Sequence, residues 1–201
     1  MPSILPDYRL HDAETSRLLG LCRTLSTLQP IHQKLVAEIV LLRLFSLFEN
    51  TISSICLKLV CGASYVDGTS PNLLLRARSV QNARALFQTH GRTRPRHDLK
   101  WSKAGEIKEN LRYVINASDN VVAVVDRNGV LVDELRRVRN RIAHNNPQSR
   151  RNYREVVRRH YGAFLNHVTP GMLLLTQRLT PSLLEQYIRQ QRIVVKDAVK
   201  A

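Results

Sequence analysis

The segment "ELRRVRNRIAHNNP", residues 134–147, gathers Arg139, Asn140 and His144 within one short span. A histidine titrates near neutral pH and serves as a general base or acid. An arginine keeps its charge and forks two N–H donors onto phosphate oxygens. Together they supply a base or an acid and an anion clamp, part of what cleavage of an RNA phosphodiester without a metal requires. One group takes the 2′-hydroxyl proton, a cation faces the phosphorane, and an acid protonates the leaving oxygen. Asn140, one helical turn before His144, is spaced to orient the imidazole or to hold ribose or phosphate.

Such residues need a helix to aim them. Projected at roughly 100° per residue, Leu131, Leu135, Val138 and Ile142 fall in one narrow stripe, the expected core face. Asn140 and His144 lie on the far side, one above the other, flanked by Arg136 and Arg137. Arg139 lies nearer the edge of the stripe. It meets His144 only by wrapping round the helix or through a partner that closes the site. A plainer reading competes: cations in a last helical turn satisfy free carbonyls and complement the dipole. On that reading Asn145 follows the helix and Pro147 stops it.

The spacing "RNRIAH" matches R-N-x-x-x-H and resembles the signature of the HEPN superfamily of small all-α domains, in particular its ribonuclease members. The superfamily pattern is an arginine, four to six residues, then a histidine, often with asparagine directly after the arginine. HEPN domains often carry an acid on the early long helix that faces the motif. The run "LLRLFSLFENTISSICLKL" offers Glu49 for that role, which is to position Arg139 or His144. Where some members have a base four positions after the acid, this chain has Ser53. Where members paired with a nucleotidyltransferase have a tyrosine two residues past the histidine, it has Asn146. The resemblance implies a two-fold dimer with both motifs lining one cleft, which would supply the second histidine that acid–base chemistry wants. It also implies a toxin or defence role, with an antitoxin or a defence-system protein as a possible partner.

Charge fits a polyanionic partner. Thirty-one Lys+Arg against sixteen Asp+Glu give +15, and neutralised phosphates release counterions. A merely solubilising surface usually mixes both signs. The expected RNA-binding residues are Arg136, Arg137 and Arg141 before the histidine, with Arg150, Arg151, Arg154 and Arg158 after it. Tyr153 and Tyr161 are candidates for base stacking, with the core as the stronger alternative because Val156, Val157, Phe164 and Leu165 surround them.

The elements behind the site read as helices. Residues 12–28 form one, with Asp12 or Thr15 as its cap, and residues 31–60 the longest. The latter runs through Leu35, Ile39, Leu42, Phe45, Ile52, Ile55 and Leu59 and stops at Gly62; a helix so apolar is expected at the centre of a bundle. Further helices are expected over 73–89, 101–116, about 130–145, the basic run from Arg150, "MLLLTQRL" and "SLLEQYIRQQ". Residues 118–130 read as a hairpin or as a helix end and loop. The fold class is therefore all-α: a single helical domain over 1–201 with its core at about 12–168, extended by C-terminal helices over 171–201.

Cys22, Cys56 and Cys61 lie in apolar helical patterns without metal-ligand spacing. They read as buried thiols of a reducing compartment, with neither metal nor cofactor expected. The N-terminus lacks a signal-peptide pattern and no apolar run is long enough to span a membrane, so a cytoplasmic protein is expected. Three functions remain in view: a metal-independent RNA endonuclease, a non-catalytic RNA-binding or scaffold domain of the same type, and a basic helical DNA-binding protein.

Overall fold

The computed structural model describes residues 2–163, 165–176 and 178–201. Met1, Phe164, expected above beside the core, and Gln177, expected within a helix, lie outside the described residues. The chain is an all-α bundle, and among the described residues its only β-type pairing is an isolated bridge between Leu73 and Ile115. Its helices are α1 (Leu5–Thr24), α2 (Pro30–Val60), α3 (Val80–Thr89), α4 (Ala104–Leu111), α5 (Asn120–Arg127), α6 (Gly129–Ala143), α7 (Pro147–Tyr161), α8 (Pro170–Leu174) and α9 (Leu183–Ala198).

α2 is the central element, and its two halves serve two core clusters. Leu41, Leu44 and Phe45 pack with Leu135 and Val138 of α6 and with Val156 and Val157 of α7. Ile52, Ile55 and Leu59 pack with Ile107 and Leu111 of α4 and with Val121 and Val125 of α5. The helix is not buried all round, however. Leu35 and Ile39, expected on its core face, are 55% and 54% exposed, and Ile31 is 71% exposed. The 31-residue apolar pattern covers more of the helix than the surrounding elements can bury.

α1 begins seven residues earlier than expected, at Leu5, because Ile4, Tyr8 and His11 already continue its inward face. The supposed caps Asp12 and Thr15 therefore lie inside it. Thr15 Oγ1 donates to the His11 carbonyl at 2.8 Å, and Asp12 accepts from Arg192 Nε of α9 at 2.5 Å. α3 is shorter than expected. Leu74 and Leu75 instead donate their backbone N–H groups to the Val114 carbonyl, and Ser79 caps the helix by accepting from the Asn82 N–H. The helix expected over 101–116 is formed only from Ala104 to Leu111.

Residues 120–127 form a helix, not a hairpin. Asp119 caps it, accepting from the Val121 N–H at 3.1 Å while also accepting from the Tyr65 hydroxyl and the Asn72 N–H. Pro147 starts α7 as well as excluding further α6, since proline in a first turn loses no needed donor. Asn146 caps that start, accepting from the Ser149 N–H at 2.8 Å. The C-terminal α9 is part of the bundle: Leu184, Tyr187, Ile188, Val194 and Val195 are all buried, against α1, α2 and α5.

Candidate functional site

Arg139 meets the helix that carries Glu49 where the C-terminal half of α6 packs on α2, while His144 lies past the end of α6. Val132, Leu135 and Val138 bury one face of α6, which leaves Arg139 at the edge of that face, beside α2. Its guanidinium lies 5.7 Å from the centroid of the Phe45 ring, within cation–π range. Nη1 also donates to Asn140 Oδ1 at 3.1 Å. Glu49 follows Phe45 by one turn, on the adjoining surface of α2.

Burial pushes the half-buried Glu49 carboxyl above the ordinary range, the nearby Arg139 charge pulls it down, and Glu106 pushes it up again. The balance is a raised pKa. Glu49 thus feels Arg139, although they share no hydrogen bond among the described residues.

His144 departs from the helical projection. α6 ends at Ala143, and His144 is its C-cap in extended conformation, φ −136° and ψ 128°. It therefore does not stack over Asn140 as an i+4 helical neighbour. Its backbone is fixed at both sides: the N–H donates to the Asn140 carbonyl at 2.9 Å, and the carbonyl accepts from Ser149 Oγ at 2.7 Å. The ring is exposed, and among the described residues it has no side-chain hydrogen bond to Arg139, Asn140 or Glu49.

The predicted basic residues separate into distinct settings. Arg137 is paired with Glu155 of α7 at 2.5 Å. Arg136 keeps Nε buried with no hydrogen-bond partner among the described residues. Arg151 donates to Gln148 at 3.3 Å, and Arg158 is exposed on α7. Arg141 and Arg150 both donate to Asn145 Oδ1, at 3.1 and 2.9 Å. They join Arg154, Tyr153 and Asn166 around a 240 Å³ cavity. Two guanidinia meeting on a neutral amide oxygen leave positive charge that a bound anion would offset. Tyr153 is buried and its hydroxyl donates to the Val168 carbonyl, so it is a core residue; the Arg178 guanidinium lies over the Tyr161 ring.

One constellation escaped the sequence reading. Glu134 is only 8% exposed, and it accepts from Tyr187 of α9 at 2.6 Å and from Arg159 of α7 at 2.6 Å. His160 Nε2 of α7 lies 2.8 Å from the same oxygen that Tyr187 meets, so one carboxylate joins three helices. Burial alone would raise its pKa, but the hydrogen bonds of His160 and Tyr187, with the charges of His160 and Arg159, hold it below the ordinary range. Its signal in the sequence is its register, three residues after Leu131 and four before Val138, on the flank of the apolar stripe.

Among the described residues no three His, Cys, Asp or Glu side chains stand in a metal-holding group, and no helix is long and apolar enough to cross a membrane. No family model, curated protein or solved structure matches the chain.

Proposed function

We propose that the protein is a metal-independent RNA endonuclease of HEPN type that works at a homodimer cleft. The observation that carries this reading is the setting of Arg139. A buried-edge guanidinium, held by Asn140, packed over Phe45 and sensed by Glu49, precedes by five residues an exposed histidine on a backbone fixed from both sides. Such preorganisation suits a cation that must meet charge developing on a phosphorane.

In the proposed reaction a 2′-oxygen attacks the adjacent phosphorus as His144 removes its proton. The P–O5′ bond breaks and the 5′-oxygen receives a proton from His144 of the partner subunit. The products are a 2′,3′-cyclic phosphate and a 5′-hydroxyl. Arg139 stabilises the phosphorane, Asn140 and Glu49 position Arg139, and the Arg141–Arg150–Arg154 cavity holds flanking phosphate. A toxin or defence role, with an inhibitory or defence-system partner, follows from the HEPN resemblance.

An exposed apolar stripe supports the dimer. Ile31, Leu35 and Ile39 recur every four residues on α2, and the same stripe continues through Leu42 and Ser46 to Glu49. Exposed apolar surface of this kind commonly marks an interface, and here it runs directly toward the site.

The second reading is a non-catalytic RNA-binding domain. The free His144 ring favours it, because a catalytic base is usually oriented by a third group. RNA cleavage in excess EDTA separates the two. His144→Ala is expected to abolish cleavage and spare affinity, with cyclic phosphate ends from the wild type alone. A folded, dimeric wild type that cleaves no RNA moves the reading to the binding domain.

A further inference from the structure

The stripe of α2 that carries Glu49 continues to Ser53 and Leu57, one and two turns on, roughly 6 and 12 Å along the axis. There it forms one wall of a second cavity, of 180 Å³. α3 supplies Arg84 and Gln88, and the segment after it supplies His97, Asp98, Leu99 and Trp101. The floor is apolar: Leu57 and Trp101 are buried, and the indole meets Phe87 edge-on at 5.8 Å and 74°.

This cavity has fixed walls. The basic linker "HGRTRPRHD" is fastened to its neighbours. Gln88 Nε2 donates to the His97 carbonyl at 2.8 Å, and the Arg96 N–H donates to the Gln88 carbonyl at 2.8 Å. Arg92 donates to the carbonyls of Phe87 and Glu109, both at 2.9 Å. Arg96 pairs with Glu106 of α4 at 3.6 Å, and Glu106 is itself one of the charges that Glu49 feels. Cavity and Arg139 site are therefore neighbours on one helix face.

We propose that this cavity is a nucleobase site, holding a base of the strand whose phosphate meets Arg139; the assignment to a strand rests on the nuclease reading above. The lining separates it from a phosphate site. The Arg141 cavity has only guanidinia for its charged groups, whereas this one includes the Asp98 carboxylate, which repels an anion. A base edge offers donors and acceptors together over an apolar ring, and the lining matches both. Asp98 accepts, Arg84 donates, and the Ser53 hydroxyl and Gln88 amide do either. Guanine suits this set best, with a carbonyl and N7 for the guanidinium fork and N–H groups for the carboxylate. Polar groups that converge over an apolar floor can fix the orientation of a small ligand.

Trp101 is the chain's single tryptophan, so its emission reports this cavity directly. The test titrates the full-length protein with GMP, AMP, CMP and UMP, with inorganic phosphate as control. Nucleotides are expected to change the emission saturably, GMP at the lowest concentration, and phosphate is not. Ser53→Phe, which fills the cavity from a half-buried position, abolishes the response, and Asp98→Asn weakens GMP by about tenfold. Emission that no nucleotide moves, that phosphate moves equally, or that responds alike in folded Ser53→Phe overturns the base site. His144-dependent cleavage with no nucleotide response sinks the base site and keeps the nuclease. A nucleotide response from a protein that cleaves no RNA does the reverse.

Discussion

The Arg139 guanidinium of α6 stands 5.7 Å from the centroid of the Phe45 ring of α2, one turn before Glu49. Two segments some ninety residues apart thereby become one site. The ring supplies a face for the cation, Asn140 holds one nitrogen, and the Glu49 carboxyl, its pKa raised by burial, lies near enough to feel the cation. A planar, delocalised cation is required for all three at once.

Arg139→Lys keeps the charge and loses the fork and the stacked plane. Cleavage is expected to fall by about a hundredfold or more, the cost of losing one preorganised donor to a transition-state anion. RNA affinity should change little, since charge is what most of the grip uses. Comparing single-turnover rates with binding by filter retention checks this. Unchanged cleavage by the lysine variant would remove Arg139 from the reaction, as would a DNA-binding function in which only charge matters.

How the chain folds was legible where periodicity is strong and misleading where it is not. The stripe of Leu131, Leu135, Val138 and Ile142 read directly as the inward side of α6, and both the all-α class and the central α2 followed from patterns of that kind. The end of α6 did not follow, because Pro147 three residues past His144 permits a helix end anywhere nearby; the Ser149 hydroxyl on the His144 carbonyl favours the extended form. The exposure of Leu35 and Ile39 is invisible to hydropathy, which records what a residue prefers and not whether neighbours arrive to cover it. Glu134 was passed over for a similar reason: its partners lie on α7 and α9, and only tertiary packing brings them together.

Glu134 anchors α6 to α7 and α9, so its removal should act on stability more than on chemistry. Truncating one partner of a buried charged network costs about 3–5 kcal/mol, a fall of roughly 10 °C in melting temperature for a chain of this size. Glu134→Ala is expected in that range. Tyr187→Phe, which loses one hydrogen bond, should cost about 1–2 kcal/mol. Because the folded carboxylate is held below its ordinary value, its contribution is present above pH 4.5 and lost as pH falls through the lowered value. Thermal melts of both variants at pH 7 are the measurement, and equal melting temperatures for wild type and Glu134→Ala would refute the anchor.

His11 predicts a different pH dependence. Its imidazole is buried between α1 and α9 with neither ring nitrogen hydrogen-bonded among the described residues, and the Gln191 amide facing it is equally unpaired. Burial drives its pKa down to about 4, with Asp12 and Gln191 opposing that shift and Arg192 adding to it. The unfolded chain therefore binds a proton that the folded chain refuses between about pH 6.5 and 4. This contribution to stability is whole above pH 6.5 and diminishes as pH falls through that window, by roughly 3 kcal/mol in all. His11→Leu should remove this slope and raise stability at pH 5 relative to wild type. Urea unfolding at pH 5 and pH 7.5 reads both, and parallel losses in wild type and variant would count against the assignment.

In the proposed dimeric nuclease, the exposed stripe on α2 would connect assembly to catalysis. Ile31, Leu35 and Ile39 are half or more exposed, so glutamates at 35 and 39 have room in the monomer and cost the fold little. Buried against a second copy in an isologous contact, the same glutamates would face apolar surface and one another. Leu35→Glu with Ile39→Glu is therefore expected to turn a dimer into a monomer of near-wild-type melting temperature. If the second histidine comes from the partner, cleavage should vanish in that monomer although Arg139, Asn140, His144 and Glu49 are untouched. Sedimentation velocity and the EDTA cleavage assay on one preparation decide between outcomes: a dimer that persists removes the stripe from the interface, and a monomer that still cleaves places both proton transfers within one chain.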